Sequence, residues 1–99
     1  MNKDKFELNY MYDFSLLIKT KIDQGDFDEC INLISDKMSE YPHSPVPHNL
    51  LGIMMEIRGN HVLAMKHFRA ARALDPCYIP ATENLENFGI YSAKREYVF

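Results

Sequence analysis

The sequence predicts an all-α fold of five helices. Three observations carry that prediction. Apolar residues advance by threes and fours over long stretches, helix start and stop signals divide the chain at short intervals, and the pattern recurs with a fixed period. The period is 34 residues: Gly25 returns as Gly59, Pro42 as Pro76, and Leu16-Leu17 as Leu50-Leu51. No strand-type alternation of comparable length is found anywhere in the chain. With 99 residues, 46% of them hydrophobic and 25% charged, the chain has the composition of one globular domain over residues 1–99 with a single core. It leaves no room for a catalytic domain beside a regulatory one.

The first helix spans about residues 4 to 24, and Gly25 is placed to end it. The second runs from about 27 to 41, where Phe27, Cys30, Ile31, Ile34, Met38 and Tyr41 share one face. Asp26, with Glu29 three positions on, reads as its N-cap and capping box. A third helix covers about 45 to 58. Ser44 is expected to cap it, and Pro45 suits the first helical position, where a missing N–H costs nothing. Gly59-Asn60 repeats the earlier Gly25-Asp26 boundary and opens a fourth helix from 61 to 74, with Ala64, Phe68, Ala71 and Leu74 on one side. The fifth is expected over about 79 to 96.

On this framework the second period resembles a tetratricopeptide repeat. The family pattern W-x2-L-G-x2-Y, A-x3-F, P is read as His48-x2-Leu51-Gly52-x2-Met55, Ala64-x3-Phe68 and Pro76, with Ala71 between, and His48 and Met55 stand where the family has aromatic residues. The first period is more degenerate, with Phe14, Leu17, Ile18 and Lys21, then Cys30-x3-Ile34 and Pro42, and Ile18 in the glycine position. The resemblance covers about residues 11 to 78, as repeat one (about 11–44) and repeat two (about 45–78), and residues 79–96 resemble a capping helix. It implies an α-α superhelix, a solenoid of five antiparallel helices in which stacked pairs share a core that no pair could form alone. Gly52 and Ala64 are small where helices must approach, and Phe68 fills the space they leave.

Composition narrows the function. Eleven Lys and Arg against fourteen Asp and Glu give a net charge of −3, unlike the basic surplus of a nucleic-acid binder. The start, Met1 to Glu7, is charged and lacks the apolar run of a secretory signal, and no apolar stretch approaches the roughly 20 residues that span a bilayer. Cys30 and Cys77 have no CxxC spacing and are too few for a disulfide scaffold, so a reduced, cytoplasmic protein is expected, with no nucleic-acid or membrane partner. His43 and His48 lie in or beside a loop, while His61 and His67 are six apart and point to different sides of a helix. No metal site is therefore expected. No phosphate loop, nucleophile elbow or zinc-protease motif occurs, so no enzyme and no cofactor are expected. Arg58, Lys66, Arg69 and Arg72 read as a solvated face.

The third helix is the informative one, since six of the eight residues from Leu50 to Ile57 are apolar. In tetratricopeptide arrays the first helix of each pair lines a concave face. The resemblance carries that groove onto Tyr12, Ser15, Lys19 and Ile22, onto Asn49, Ile53, Glu56 and Ile57, and onto Asn87, Ile90 and Tyr91. Two states of the groove are open at this point: it holds a helix or peptide of a partner protein, or the terminal helices cover it. If it is free, Ile53 and Ile57 are expected to be exposed. The expected function is non-enzymatic protein–protein interaction. The alternative is a homodimer formed through the last helix, which ends in Tyr91, Tyr97, Val98 and Phe99. The carboxylate clamp of some tetratricopeptide co-chaperones aligns with Ser15, Lys19, Leu50, Pro80 and Asn84, where it would need Lys, Asn, Asn, Lys and Arg. No clamp-type chaperone binding is expected.

Overall fold

The computed structural model describes residues 5–89 and 94–99, and these form five α-helices with no strand among the described residues: α1 (Lys5–Asp23), α2 (Phe27–Glu40), α3 (Val46–Ile57), α4 (His61–Leu74) and α5 (Ile79–Asn87). Four helices lie where the sequence places them. The fifth is a correction: it stops at Asn87, not near residue 96. Phe88 follows as C-cap and Gly89, a poor helix former, comes next; Tyr97, Val98 and Phe99 pack back onto the body of the protein instead of extending the helix.

The turns show why the helices end where they do. Gly25 and Gly59 take the left-handed backbone, with φ of 82° and 81°, a conformation that costs a residue with a Cβ. At the first, Gly25 N–H donates to the Ile22 carbonyl and Asp26 N–H to that of Lys21. At the second, Gly59 N–H donates to Glu56 and Asn60 N–H to Met55. Both are Schellman closures, in identical registers 34 residues apart. The proline turns repeat likewise, since Ser44 N–H closes on Tyr41 across Pro42 and Tyr78 N–H closes on Asp75 across Pro76. Capping is less uniform. The Asn60 side chain accepts from Leu63 N–H at 3.2 Å, whereas Asp26 makes no side-chain cap bond and the capping box expected there does not form. Ser44 Oγ accepts from Val46 N–H, and Pro45 is the N-cap residue, one position before the helix proper.

Every helix packs on its chain neighbour, and α1 also packs on α3. Two apolar clusters result. One joins Phe14 and Ile18 of α1 with Cys30 and Ile34 of α2 and Leu50 and Met54 of α3. The other joins Ile53 of α3 with Ala64 and Phe68 of α4 and with Phe88 after α5. Helix α3 supplies both, which is why its apolar residues run nearly all the way round. At its centre Gly52 lies against the Phe68 ring so closely that a Cβ there would stand 2.5 Å from Cε1.

Candidate functional site

The candidate site is the surface formed by α1, α3 and α5, and it is built around buried asparagines. Asn49 on α3 and Asn84 on α5 are fully buried, and Asn87, one turn beyond Asn84, is 8% exposed. Asparagine is a weak helix former and its amide is costly to bury unpaired, so three of them facing an apolar core call for partners. Their partners are main-chain groups of residues 96–98. Asn84 Nδ2 donates to the Val98 carbonyl at 2.8 Å and to Asn49 Oδ1 at 2.9 Å, while Asn84 Oδ1 accepts from Val98 N–H at 2.9 Å. Asn49 Nδ2 donates to the same Val98 carbonyl at 3.0 Å, and Asn87 Nδ2 to the Glu96 carbonyl at 2.9 Å. Among the described residues no buried side-chain nitrogen or oxygen is left unpaired.

Spacing fixes how this segment runs. Residues 84 and 87 are a helical turn apart, about 5–6 Å, and they hold residues 98 and 96, so two residues of chain cover that turn. The segment therefore runs antiparallel to α5 in the groove, without regular secondary structure of its own. Aromatic side chains fix it at both ends. The Tyr97 ring stacks on Phe88 with centroids 5.2 Å apart, and burial together with the Glu56 charge pushes its phenol up. Phe99 packs against both apolar clusters beneath the Lys19 ammonium, 5.7 Å from its centroid. Tyr78 OH donates to the Phe99 carbonyl at 3.4 Å, and burial holds that phenol well above the usual range. Beyond Phe99 the groove continues into a cavity of about 490 Å³ lined by Leu8, Met11, Tyr12, Val46, Tyr78 and Pro80, with Glu7 and Asp75 also on its wall.

The residues expected to line the groove divide accordingly. Asn49 and Asn87 grip the segment, Lys19 covers Phe99, and Ile22, like Phe99, packs against both clusters. Ser15 is buried, its hydroxyl donating to the Met11 carbonyl, and lines the cavity together with the exposed Tyr12. Glu56 faces His61, with Oε2 2.9 Å from Nδ1. Ile57 is half-buried, and Ile53 is completely buried against Ala64, Phe68 and Phe88. Ile53 is thus a core residue and not the exposed groove residue expected of a free surface, because it shares a buried cluster with Phe88, against which Phe99 packs. Ile90 and Tyr91 lie outside the described residues. Tyr97, Val98 and Phe99, expected on the face of a terminal helix, are instead the groove's occupants.

Asn84, Tyr78 and Phe88 were not legible as site residues. The sequence shows Asn84 only as a clamp position lacking the required arginine, and its role depends on a segment that returns after the helix. A signal existed nonetheless: Asn49, Asn84 and Asn87 sit on the inward side of helices where apolar residues are expected. A pair of imidazoles was also missed. His48 and His67, on α3 and α4, stack with Nδ1 atoms 3.4 Å apart, and burial lowers both pKa values. Among the described residues no group of three or more His, Cys, Asp or Glu side chains could hold a metal ion, and no helix is long and apolar enough to cross a membrane.

No protein-family model, no curated protein and no solved structure matches this chain.

Proposed function

We propose that this domain is a non-enzymatic interaction module of the tetratricopeptide type, working in the cytoplasm, whose groove holds an extended peptide of a partner protein. One observation carries the reading: Asn49, Asn84 and Asn87 bind main-chain groups of a segment lying across α3 and α5. Main-chain bonds do not depend on the side chains of the bound segment, so a peptide of another sequence can make the same ones, with pockets for alternate side chains giving selectivity. The repeated Schellman and proline turns at a 34-residue interval support the tetratricopeptide part of the reading. The free cysteines, Cys30 buried and Cys77 exposed, suit a reducing compartment.

Probing a random peptide array with the wild-type chain and with Asn87→Ala tests this. Asn87 sits at the edge of the groove and gives one bond to the segment, so the variant should fold. Peptides that bind the wild type should be held several-fold more weakly by the variant, as expected for one lost hydrogen bond of about 1 kcal/mol. An array without binders, or binders indifferent to Asn87, would remove the groove as the partner site.

A further inference from the structure

The segment in the groove is held unlike the core beneath it. Asn49 and Ile53 are fully buried, whereas residues 94–96 are exposed, Tyr97 is 39% exposed, and Val98 and Phe99 are only half-buried. Phe99 packs on both apolar clusters, yet the outer side of the segment stays in solvent, and what holds it is four main-chain contacts from asparagines and two aromatic side chains. Elements with so few buried apolar contacts open at the low end of a protein's stability range. Meanwhile the groove opens beside Phe99 into the cavity of about 490 Å³, whose wall is mainly apolar with Glu7 and Asp75 on it. Of residues 94–99 only Phe99 lines that cavity, so a peptide that followed the same path and carried apolar residues into it would bury more.

We propose, on the reading of the groove as a peptide site, that residues 94–99 are a built-in competitor, and that the partner is an unstructured peptide carrying an aromatic–aliphatic–aromatic run that displaces them. The chemistry of the partner follows from what each place accepts. The position of Tyr97 requires a flat ring to stack on Phe88. At Val98 the backbone N–H and C=O must both be free for Asn84, which excludes proline. An aromatic ring at the Phe99 position packs against both clusters and faces the Lys19 ammonium. A further apolar residue of the partner then enters the cavity that Phe99 helps to line. Tethering gives the internal segment a millimolar-range effective concentration, so a partner lacking that extra burial competes poorly. The segment thus sets a threshold that selects long, doubly aromatic peptides over short ones.

The test uses fluorescein-labelled Lys-Arg-Glu-Tyr-Val-Phe-Leu-Leu, which repeats residues 94–99 and adds two leucines for the cavity, with a scrambled peptide as control. Anisotropy is read with the wild-type chain and with Val98→Pro, which removes the N–H that Asn84 accepts. The variant should bind the peptide about tenfold more tightly than the wild type, since the internal competitor has been weakened. Equal affinity would overturn the competitor while leaving the groove as a peptide site, whereas no binding to either protein would overturn both. Light scattering showing that Val98→Pro dimerises would make a second copy the occupant and overturn the choice of partner. Should the variant fail to fold, hydrogen exchange on the wild type decides: saturating peptide should speed exchange at the Val98 amide and slow it in α3, and binding without that release would sink the proposal.

Discussion

Gly52 and Phe68 show how far one side chain constrains this fold. The ring occupies the volume a Cβ would need, 2.5 Å away, so alanine, the better helix former, is expected to be the worse residue here. Overpacking of this kind costs about 1–3 kcal/mol against a propensity gain of about 1 kcal/mol, and urea melts of Gly52→Ala should show a net loss. An unchanged or raised midpoint would mean that α3 and α4 can separate freely. Phe68→Ala removes the same contact from the other side and should cost about 3–5 kcal/mol, as buried aromatic truncations do. The two imidazoles behave differently. Burial favours the neutral form of His48 and His67, and each would repel a charge on the other. Their folded pKa values lie below the ordinary 6.5, so the unfolded chain takes up protons first. Stability from this pair is complete above that value and declines as pH falls from there toward the folded values. Urea midpoints at about pH 7.5 and 5.5 should diverge less in His67→Phe than in the wild type. The same divergence in both would refute the assignment.

At the scale of elements, the sequence was readable wherever structure is decided locally. Gly25, Gly59, Pro42 and Pro76 set four turns because each fixes backbone geometry within a few residues, and the apolar faces between them required only helical spacing. Helix α5 was misjudged for the opposite reason. Whether the chain continued past Asn87 depended on where Tyr97 and Phe99 could place their rings, and while Tyr97 stacks on the nearby Phe88, the place of Phe99 is set by clusters built largely from distant helices. The paired glycine turns allow a strict comparison. A Cβ at either position meets nothing within 4 Å, so substitution is opposed by backbone conformation alone. Gly25→Ala and Gly59→Ala should therefore each cost about 1–2 kcal/mol, by equal amounts, and the double variant should show their sum. Unequal costs, measured by thermal or urea unfolding, would mean that the two turns are not equivalent in the way their hydrogen bonds indicate.

Across the whole molecule, α3 joins both clusters and also forms the floor of the groove, so core and site cannot be altered independently there. Legibility of the site follows the same division. The resemblance pointed, through Asn49, Lys19 and Asn87, to the surface on which residues 96–99 lie, but it treated Ile53 as part of an accessible lining, because a pattern of positions does not show what lies over them. Ile53 is buried in a cluster with Ala64, Phe68 and Phe88, against which Phe99 of the returning segment packs. Changing it to serine both empties apolar volume and buries a hydroxyl, with an expected cost of about 3–5 kcal/mol, a large part of what a small domain possesses. Lys19→Ala, by contrast, removes only an exposed ammonium lying over the Phe99 ring, for which about 0.5–1 kcal/mol is expected. The two losses should also differ in kind. Ile53→Ser should lower the global unfolding midpoint and raise exchange throughout α3 and α4. Lys19→Ala should raise exchange chiefly at the Val98 amide, because Phe99 is only half-buried where it packs on the two clusters and their buried members also hold one another. Amide exchange resolved by residue measures this directly. If Lys19→Ala loosens α3 as much as it loosens residue 98, the segment and the core open as one unit, and the groove is then a closed part of the fold.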